Sequence, residues 1–389
     1  MGFEPRPYQH DAIEAGVKFF DDYHNKGNAI EILTTGSGKS LVSAKIVDRL
    51  EGETAILQPS KEILTQNYAK FQSYGGRAGI YSASIGLKHK DRITYCTIGS
   101  IIKKKHIFRN LKHLLIDECH FTNPEDGMYS EFIDSLNHAK VLGLTATPYR
   151  LKTDGDGSKL EFLTRSHPRV FSSVAYYIQN DVLFNQGHLA PLEYYNFDVI
   201  DRSKLDMNAK GTDFSESSLK DYYRTISMPK ITISYGLKIL SIKRNLLIFC
   251  ALTSEAYEIS RGIPGSVVLT GDTPDNVRDA IIADFISFKI PCVINVRVLD
   301  TGFDFPGLEA TLLAFSTMSL ARYYQIGGRV MRPYTYADGT KKTGWIVDLG
   351  GNFNVFGKIE TMKILQDDRG RYSIWNNGRQ LTDISFTKN

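Results

Sequence analysis

Gly36-Ser37-Gly38-Lys39-Ser40 stands between a short apolar run, Ala29–Leu33, and a stretch in which Val42, Ile46 and Leu50 recur at helical spacing. A strand, a small glycine loop and a helix in that order leave few folds open. Without side chains at the glycines, successive backbone N–H groups can point at phosphate oxygens, and the helix N-terminus adds its dipole. Lys39 would reach the β- and γ-phosphates of a nucleotide and the Ser40 hydroxyl would ligate Mg²⁺. The full phosphate-loop pattern places a further glycine at position 33, where this chain has Leu33. Thr34-Thr35-Gly36 keeps the loop small and polar. Taken alone, the run also fits a glycine-rich turn before an ordinary helix.

A second site narrows the reading. Leu114–Ile116 runs into Asp117-Glu118. Asp117 can hold Mg²⁺ directly or through water, and Glu118 can orient and deprotonate a water molecule. A third lies near the end, in Gln325-Ile326-Gly327-Gly328-Arg329-Val330-Met331-Arg332. Spacings of four and three residues predict Gln325, Arg329 and Arg332 on one helical face. A planar, permanently charged guanidinium suits phosphoryl charge. Two adjacent glycines are costly in a plain surface helix, about 1 kcal/mol each, and close packing at a domain interface would explain them.

The pattern between these sites predicts an α/β architecture. Thr54–Leu57, Ile93–Thr97 and Val141–Leu144 join Ala29–Leu33 and Leu114–Ile116 as strand candidates. Each motif sits at a strand C-terminal end, where open parallel sheets place ligands. A second set follows: Leu246–Phe249, Val267–Leu269, Cys292–Val296, Thr311–Phe315 and Trp345–Val347, with a helix expected over Asp279–Phe288. The expected division is a first domain over 1–185, a connector over 186–232, a second domain over 233–357 and a tail over 358–389.

Composition sets bounds on this reading. With 389 residues, 42% hydrophobic and 23% charged, the chain reads as two or three globular domains. Net charge is +4, which permits a polyanionic partner without requiring one. Cys96, Cys119, Cys250 and Cys292 are far apart, so neither a zinc site nor a disulfide framework is expected. No apolar run is long enough for a membrane span and none marks a signal peptide. The expected location is the cytoplasm, or the host cytoplasm for a phage-encoded chain.

With these motifs in this order, the chain resembles superfamily 2 helicases over about residues 3–350. The resemblance implies two tandem RecA-like parallel-sheet domains, with ATP and Mg²⁺ as cofactors. In Arg6-Pro7-Tyr8-Gln9, Arg6 and Gln9 would contact the nucleotide, Gln9 reading adenine. Thr35, Gly36, Ser37, Gly38, Lys39 and Ser40 would form motif I. Gln58–Glu62 resembles motif Ia and Thr97–Ser100 motif Ib, with Ser60, Lys61, Thr97 and Ser100 on the nucleic-acid backbone. Asp117–His120 is motif II spelled DECH, and Thr145-Ala146-Thr147 is motif III. His120, Thr145 and Thr147 would couple hydrolysis to strand contacts, although a plain interface histidine is an open alternative at 120. Leu246–Ser254 resembles motif IV and Thr270–Thr273 the segment after it, bringing Thr253 and Thr270 to the backbone. Leu299–Pro306 is motif V, with Thr301 on nucleic acid and Gly302 and Asp304 on nucleotide. Gln325–Arg332 is motif VI, supplying catalytic Gln325, Arg329 and Arg332 beside Lys39, Asp117 and Glu118.

Within the family the spelling looks closest to phage UvsW-type branch-migration helicases and bacterial RadD-like proteins. That resemblance implies a DNA helicase working as a monomer on single-stranded, forked or four-way-junction DNA, mostly through phosphates. A double-strand translocase, an RNA helicase and an ATP-gated binding protein remain alternatives. Lys103-Lys104-Lys105 reads as a solvated face more readily than as a track contact. Leu151–Ser173, with the turn Asp154–Gly157, is either a strand-separating element or a crossover loop.

Overall fold

The computed structural model describes residues 4–386 except 23, 25, 26, 126, 137, 155, 156, 301 and 302. Thr301 and Gly302, candidate site residues from the sequence, lie outside the described residues, as does the centre of the Asp154–Gly157 turn. Contacts divide the chain into two units. One comprises 1–150, 161–179 and 364–373; the other comprises 151–160, 180–363 and 374–389.

The first unit is built on an eight-stranded sheet. Its order is Ser173–Tyr177, Ala29–Ile32, Lys140–Thr145, His113–Asp117, Thr54–Gln58, Ile93–Thr97, Gly79–Ser82 and Leu87–Lys88. Adjacent strands run parallel, apart from the short terminal pair. Ile30, Ile56, Leu114, Leu115 and Leu142 have no exposed surface. Continuous apolar strands of this kind are what a parallel sheet covered on both faces requires. Helices α1 (Pro7–Asp21), α2 (Lys39–Arg49) and α3 (Lys61–Ser73) belong to this unit.

The second unit holds a six-stranded parallel sheet. Its order is Leu192–Asn196, Gly344–Asp348, Ala310–Ala314, Leu246–Cys250, Cys292–Asn295 and Ser266–Leu269. The polar stretch 201–224, within the expected connector, is tied into this unit. Arg202 donates to the Thr317 carbonyl at 2.9 Å and the Asn352 side chain at 3.1 Å. Tyr223, in the helix Glu216–Thr225, is fully buried. Among the described residues, no helix is long and apolar enough to cross a membrane.

The glycine pair at 327–328 ends a helix, Leu320–Gly328, instead of lying inside one. Arg329 is its C-cap and Arg332 lies beyond it, so the single helical face expected for Gln325, Arg329 and Arg332 is not formed. A Cβ at Gly327 would stand 2.2 Å from Ile359 Cδ1 and 3.0 Å from Ile346 Cδ1. The glycine therefore answers to packing within the second unit.

Candidate nucleotide and metal site

In the first unit, the loop after strand Ala29–Ile32 turns through two left-handed glycines, Gly36 (φ 87°) and Gly38 (φ 89°), before α2 starts at Lys39. Side chains rarely adopt that backbone. A Cβ at Gly38 would also sit 2.4 Å from Gln9 Nε2. Gln9 and Tyr8, on the first turn of α1, both donate to the Ser37 carbonyl at 2.7 Å. The Arg6 N–H donates to Gln9 Oε1 at 2.9 Å, which fixes the amide's orientation, while the Arg6 residue is exposed. Tyr8 was not expected from the sequence; its place between Arg6 and Gln9 was the available signal. Ser37 Oγ is buried and has no hydrogen-bond partner among the described residues.

Lys39 Nζ meets Glu118 Oε1 at 2.6 Å. Glu118 follows strand His113–Asp117 in a left-handed conformation, φ 49°, which is uncommon for a residue with a side chain. His120 Nδ1 lies 3.3 Å from Glu118 Oε2, 3.0 Å from Thr145 Oγ1 and 3.1 Å from Thr147 Oγ1. The Thr147 N–H donates to Thr145 Oγ1 at 3.0 Å. One imidazole thus lies within reach of the acid and of both threonines.

The two carboxylates are driven apart. Burial works to raise Glu118, but the Lys39 ammonium and His120 outweigh it and hold Glu118 well below the usual carboxylate range. Burial and the neighbouring Glu118 charge push Asp117 upward. Asp117 is restrained by the Glu118 N–H at 3.0 Å on Oδ1 and by Asn67 Nδ2 at 3.0 Å on Oδ2. Asn67 Oδ1 also accepts from Ser40 Oγ at 2.8 Å. Ser40 and Asp117, the expected Mg²⁺ ligands, are thereby linked through one amide.

These residues fit a metal-bound nucleotide. The loop leaves a cradle that a Cβ would fill, a buried serine hydroxyl lacks a partner, and a lysine and two oxygen ligands converge. Among the described residues, no group of three or more His, Cys, Asp or Glu could hold a metal. A donor set of one hydroxyl and one carboxylate suits Mg²⁺, which keeps several waters.

Of the residues expected to meet a nucleic-acid backbone, Ser60 caps α3, its hydroxyl accepting from the Ile63 N–H at 3.3 Å, and Lys61 opens that helix. Thr97 and Ser100 share a hydroxyl contact of 2.8 Å. Thr253 is exposed at the start of helix Thr253–Gly262. Thr270 is buried, and its hydroxyl accepts from the Asp272 N–H at 3.3 Å.

In the second unit, Arg329 donates to the Asp300 carbonyl at 2.6 Å and also to the Phe303 carbonyl. Arg332 Nε is 3.1 Å from Asp304 Oδ1. Gln325 is half-buried on its helix. Asp300, unrecognised in the sequence reading, is further held by Arg322 at 2.8 Å and Asn295 at 3.1 Å. Motifs V and VI are thus fastened together.

Residues 2–150 match the family described as type III restriction enzyme, res subunit, and residues 231–334 match the helicase conserved C-terminal domain. The two matches fall in turn on the two units, whose RecA-like parallel sheets are like those of superfamily 2 helicase cores. It is 26% identical over 331 residues to a 51.5 kDa protein of a Lactococcus phage, covering 84% of this chain and 66% of that one. It is 24% identical over 341 residues to a putative DNA 3'-5' helicase Rad25 of Halobacterium salinarum, covering 84% and 52%. It is 25% identical over 369 residues to the DNA 3'-5' translocase XPB2 of Sulfurisphaera tokodaii, covering 85% and 79%. The chain therefore spans between about half and four-fifths of these three relatives. A solved fragment of a putative HsdR subunit of a type I restriction enzyme from Vibrio vulnificus shares the fold, with a TM-score of 0.66 and 19% identity over 95% of this chain and 70% of that one. The two RecA-like parallel sheets expected of the sequence are both present.

Proposed function

We propose that the chain is an ATP-dependent DNA motor that translocates on DNA and unwinds or branch-migrates forked and junction substrates. The Lys39–Glu118–His120 arrangement carries this reading. It ties a phosphate-loop lysine to an acid and, through one ring, to Thr145 and Thr147. The phosphate loop and Lys39 would hold the phosphates, Ser40 and Asp117 the Mg²⁺, and Gln9 the base. When bound, MgATP supplies the phosphoanhydride that is cleaved. Glu118 is proposed to orient a water molecule and accept its proton at the carboxylate, a role that requires Lys39 to leave it for the phosphates. His120 transmits the state of that carboxylate to the motif III threonines. Arg329 and Arg332 are proposed to bring cationic charge to the phosphates, with Gln325 and Asp304 beside them.

Ser60, Lys61, Thr97, Ser100, Thr253, Thr270 and Thr301 are proposed to hold phosphates, a mode that positions a strand without reading bases. Names among the relatives support DNA as the polymer. A translocase that separates no strands is the second reading, favoured by the similarity to XPB2.

Steady-state ATPase tests this reading, with no polymer, single-stranded DNA, duplex DNA, a four-way junction and single-stranded RNA at fixed low salt. Strongest stimulation by the junction, with strand displacement, supports the proposal. Stimulation by duplex without displacement favours the translocase. Stimulation by RNA alone, or by no polymer, overturns the DNA motor.

A further inference from the structure

We infer that Asn67 is a positioning residue that sets the two Mg²⁺ ligands and ties them to the helix that begins at the proposed strand contacts; this rests on the nucleotide-site reading above. Its side-chain amide uses both ends. Oδ1 accepts from Ser40 Oγ at 2.8 Å, and Nδ2 donates to Asp117 Oδ2 at 3.0 Å and to Gln58 Oε1 at 3.1 Å. Drawing the serine proton toward the amide leaves the Ser40 lone pairs free to face a cation. Donating to one Asp117 oxygen fixes the carboxylate plane and still leaves lone pairs on both oxygens. Gln58, 1% exposed at the end of strand Thr54–Gln58, anchors the amide from behind. Partners of this kind, one bond removed from a metal, hold its ligands in place.

Asn67 also has a direction of action. It stands on α3, seven residues after Ser60, about two turns or ~10 Å along the helix axis. Ser60 caps that helix and Lys61 opens it. A shift of α3 on gripping a strand is carried to Ser40 and Asp117 through one side chain. Occupancy by a strand should therefore change Mg²⁺ affinity, and Mg²⁺ should change strand affinity by the same factor.

The test is a Mg²⁺ titration of fluorescent ADP binding, with and without single-stranded DNA, on wild type, Asn67→Ala and the surface control Thr65→Ala from the same helix. It needs no turnover. Asn67→Ala should raise the half-saturating Mg²⁺ concentration about 10–100-fold, leave ADP binding in EDTA unchanged, and abolish the shift that DNA causes in wild type. Thr65→Ala should match wild type. A midpoint within about twofold of wild type overturns the positioning role. A raised midpoint with the DNA shift intact overturns the coupling. If Asn67→Ala does not fold, as judged by circular dichroism, Asn67→Ser is titrated instead. Absence of polymer-stimulated ATPase in wild type would count against the proposed function alone, because the Mg²⁺ titration still reads Asn67.

Discussion

Glu31 offers the sharpest test of the energetics of the first unit. It occupies a strand between Leu144 on one side and Tyr176 on the other, has no exposed surface, and among the described residues has no hydrogen-bond partner on either carboxylate oxygen. A Cβ at Gly16 would come 2.8 Å from Glu31 Oε1 and 2.5 Å from Ile46 Cδ1, so the cavity around the carboxyl is tight. Burial alone raises this group well above its ordinary 4.5. Below pH 4.5 both folded and unfolded chains carry the proton. Above it the unfolded chain releases the proton and the folded chain keeps it. Stability therefore falls with rising pH by up to ~1.4 kcal/mol per unit until the folded group titrates. Glu31→Gln keeps the shape and removes the titration. Glu31→Met also removes the unsatisfied oxygens, and its unbranched chain suits the slot beside Ile46. We expect Glu31→Met to be more stable than Glu31→Gln by about 1–3 kcal/mol, the cost of an unpaired buried polar group. In a unit of this size that corresponds to about 2–4 °C per kcal/mol in the melting of the first unit. Both variants should lose pH dependence between pH 5 and 8 relative to wild type. A wild-type minus Glu31→Gln difference that is constant across that range would refute the reasoning, because a carboxyl with a hidden partner or an internal water would behave so.

Other expectations concern the site itself. Lys39→Ala should abolish ATP turnover in the steady-state assay and release Glu118 from its principal cation; unchanged turnover removes the site assignment. Gly38→Ala forces a left-handed φ on a side chain, about 1–2 kcal/mol, and drives Cβ into Gln9; nucleotide titration should show weakened binding, and wild-type affinity would mean the loop adopts another shape when filled. Arg329→Ala leaves the Asp300 and Phe303 carbonyls without a charged donor, worth about 1.5–3 kcal/mol each. The melting of the second unit should drop even without nucleotide, and an unchanged melting curve would mean that the motif V clamp contributes nothing.

The strands that carry the motifs were legible because a parallel sheet covered on both faces demands unbroken apolar runs. Leu114–Ile116 widens in the structure only to His113–Asp117, and Thr311–Phe315 shifts by one residue to Ala310–Ala314. The edge strands Ser173–Tyr177 and Leu192–Asn196 escaped notice because they are aromatic, polar and only half-buried. Helix Leu320–Gly328 was expected to run further because the spacing of Gln325, Arg329 and Arg332 fits a helix. Contacts of Gly327 with Ile359 and Ile346, distant in sequence, decide where it stops.

The site divides along the same line. Lys39 and Glu118 lie 79 residues apart and are each singled out in the sequence because each carries a local signature; their contact at 2.6 Å appears only in the structure. Asn67 has no such signature. Mid-helix asparagine is an indifferent helix former, and its position 50 residues from Asp117 says nothing until strand order brings Thr54–Gln58 beside His113–Asp117. That adjacency places Gln58, Asn67 and Asp117 in one chain of hydrogen bonds. A motif series therefore identifies the atoms that meet a nucleotide, whereas the atoms that hold those in place are chosen by sheet order. Tuning of the proposed site should for that reason be sought at Asn67, which holds Ser40 and Asp117 and is itself held by Gln58.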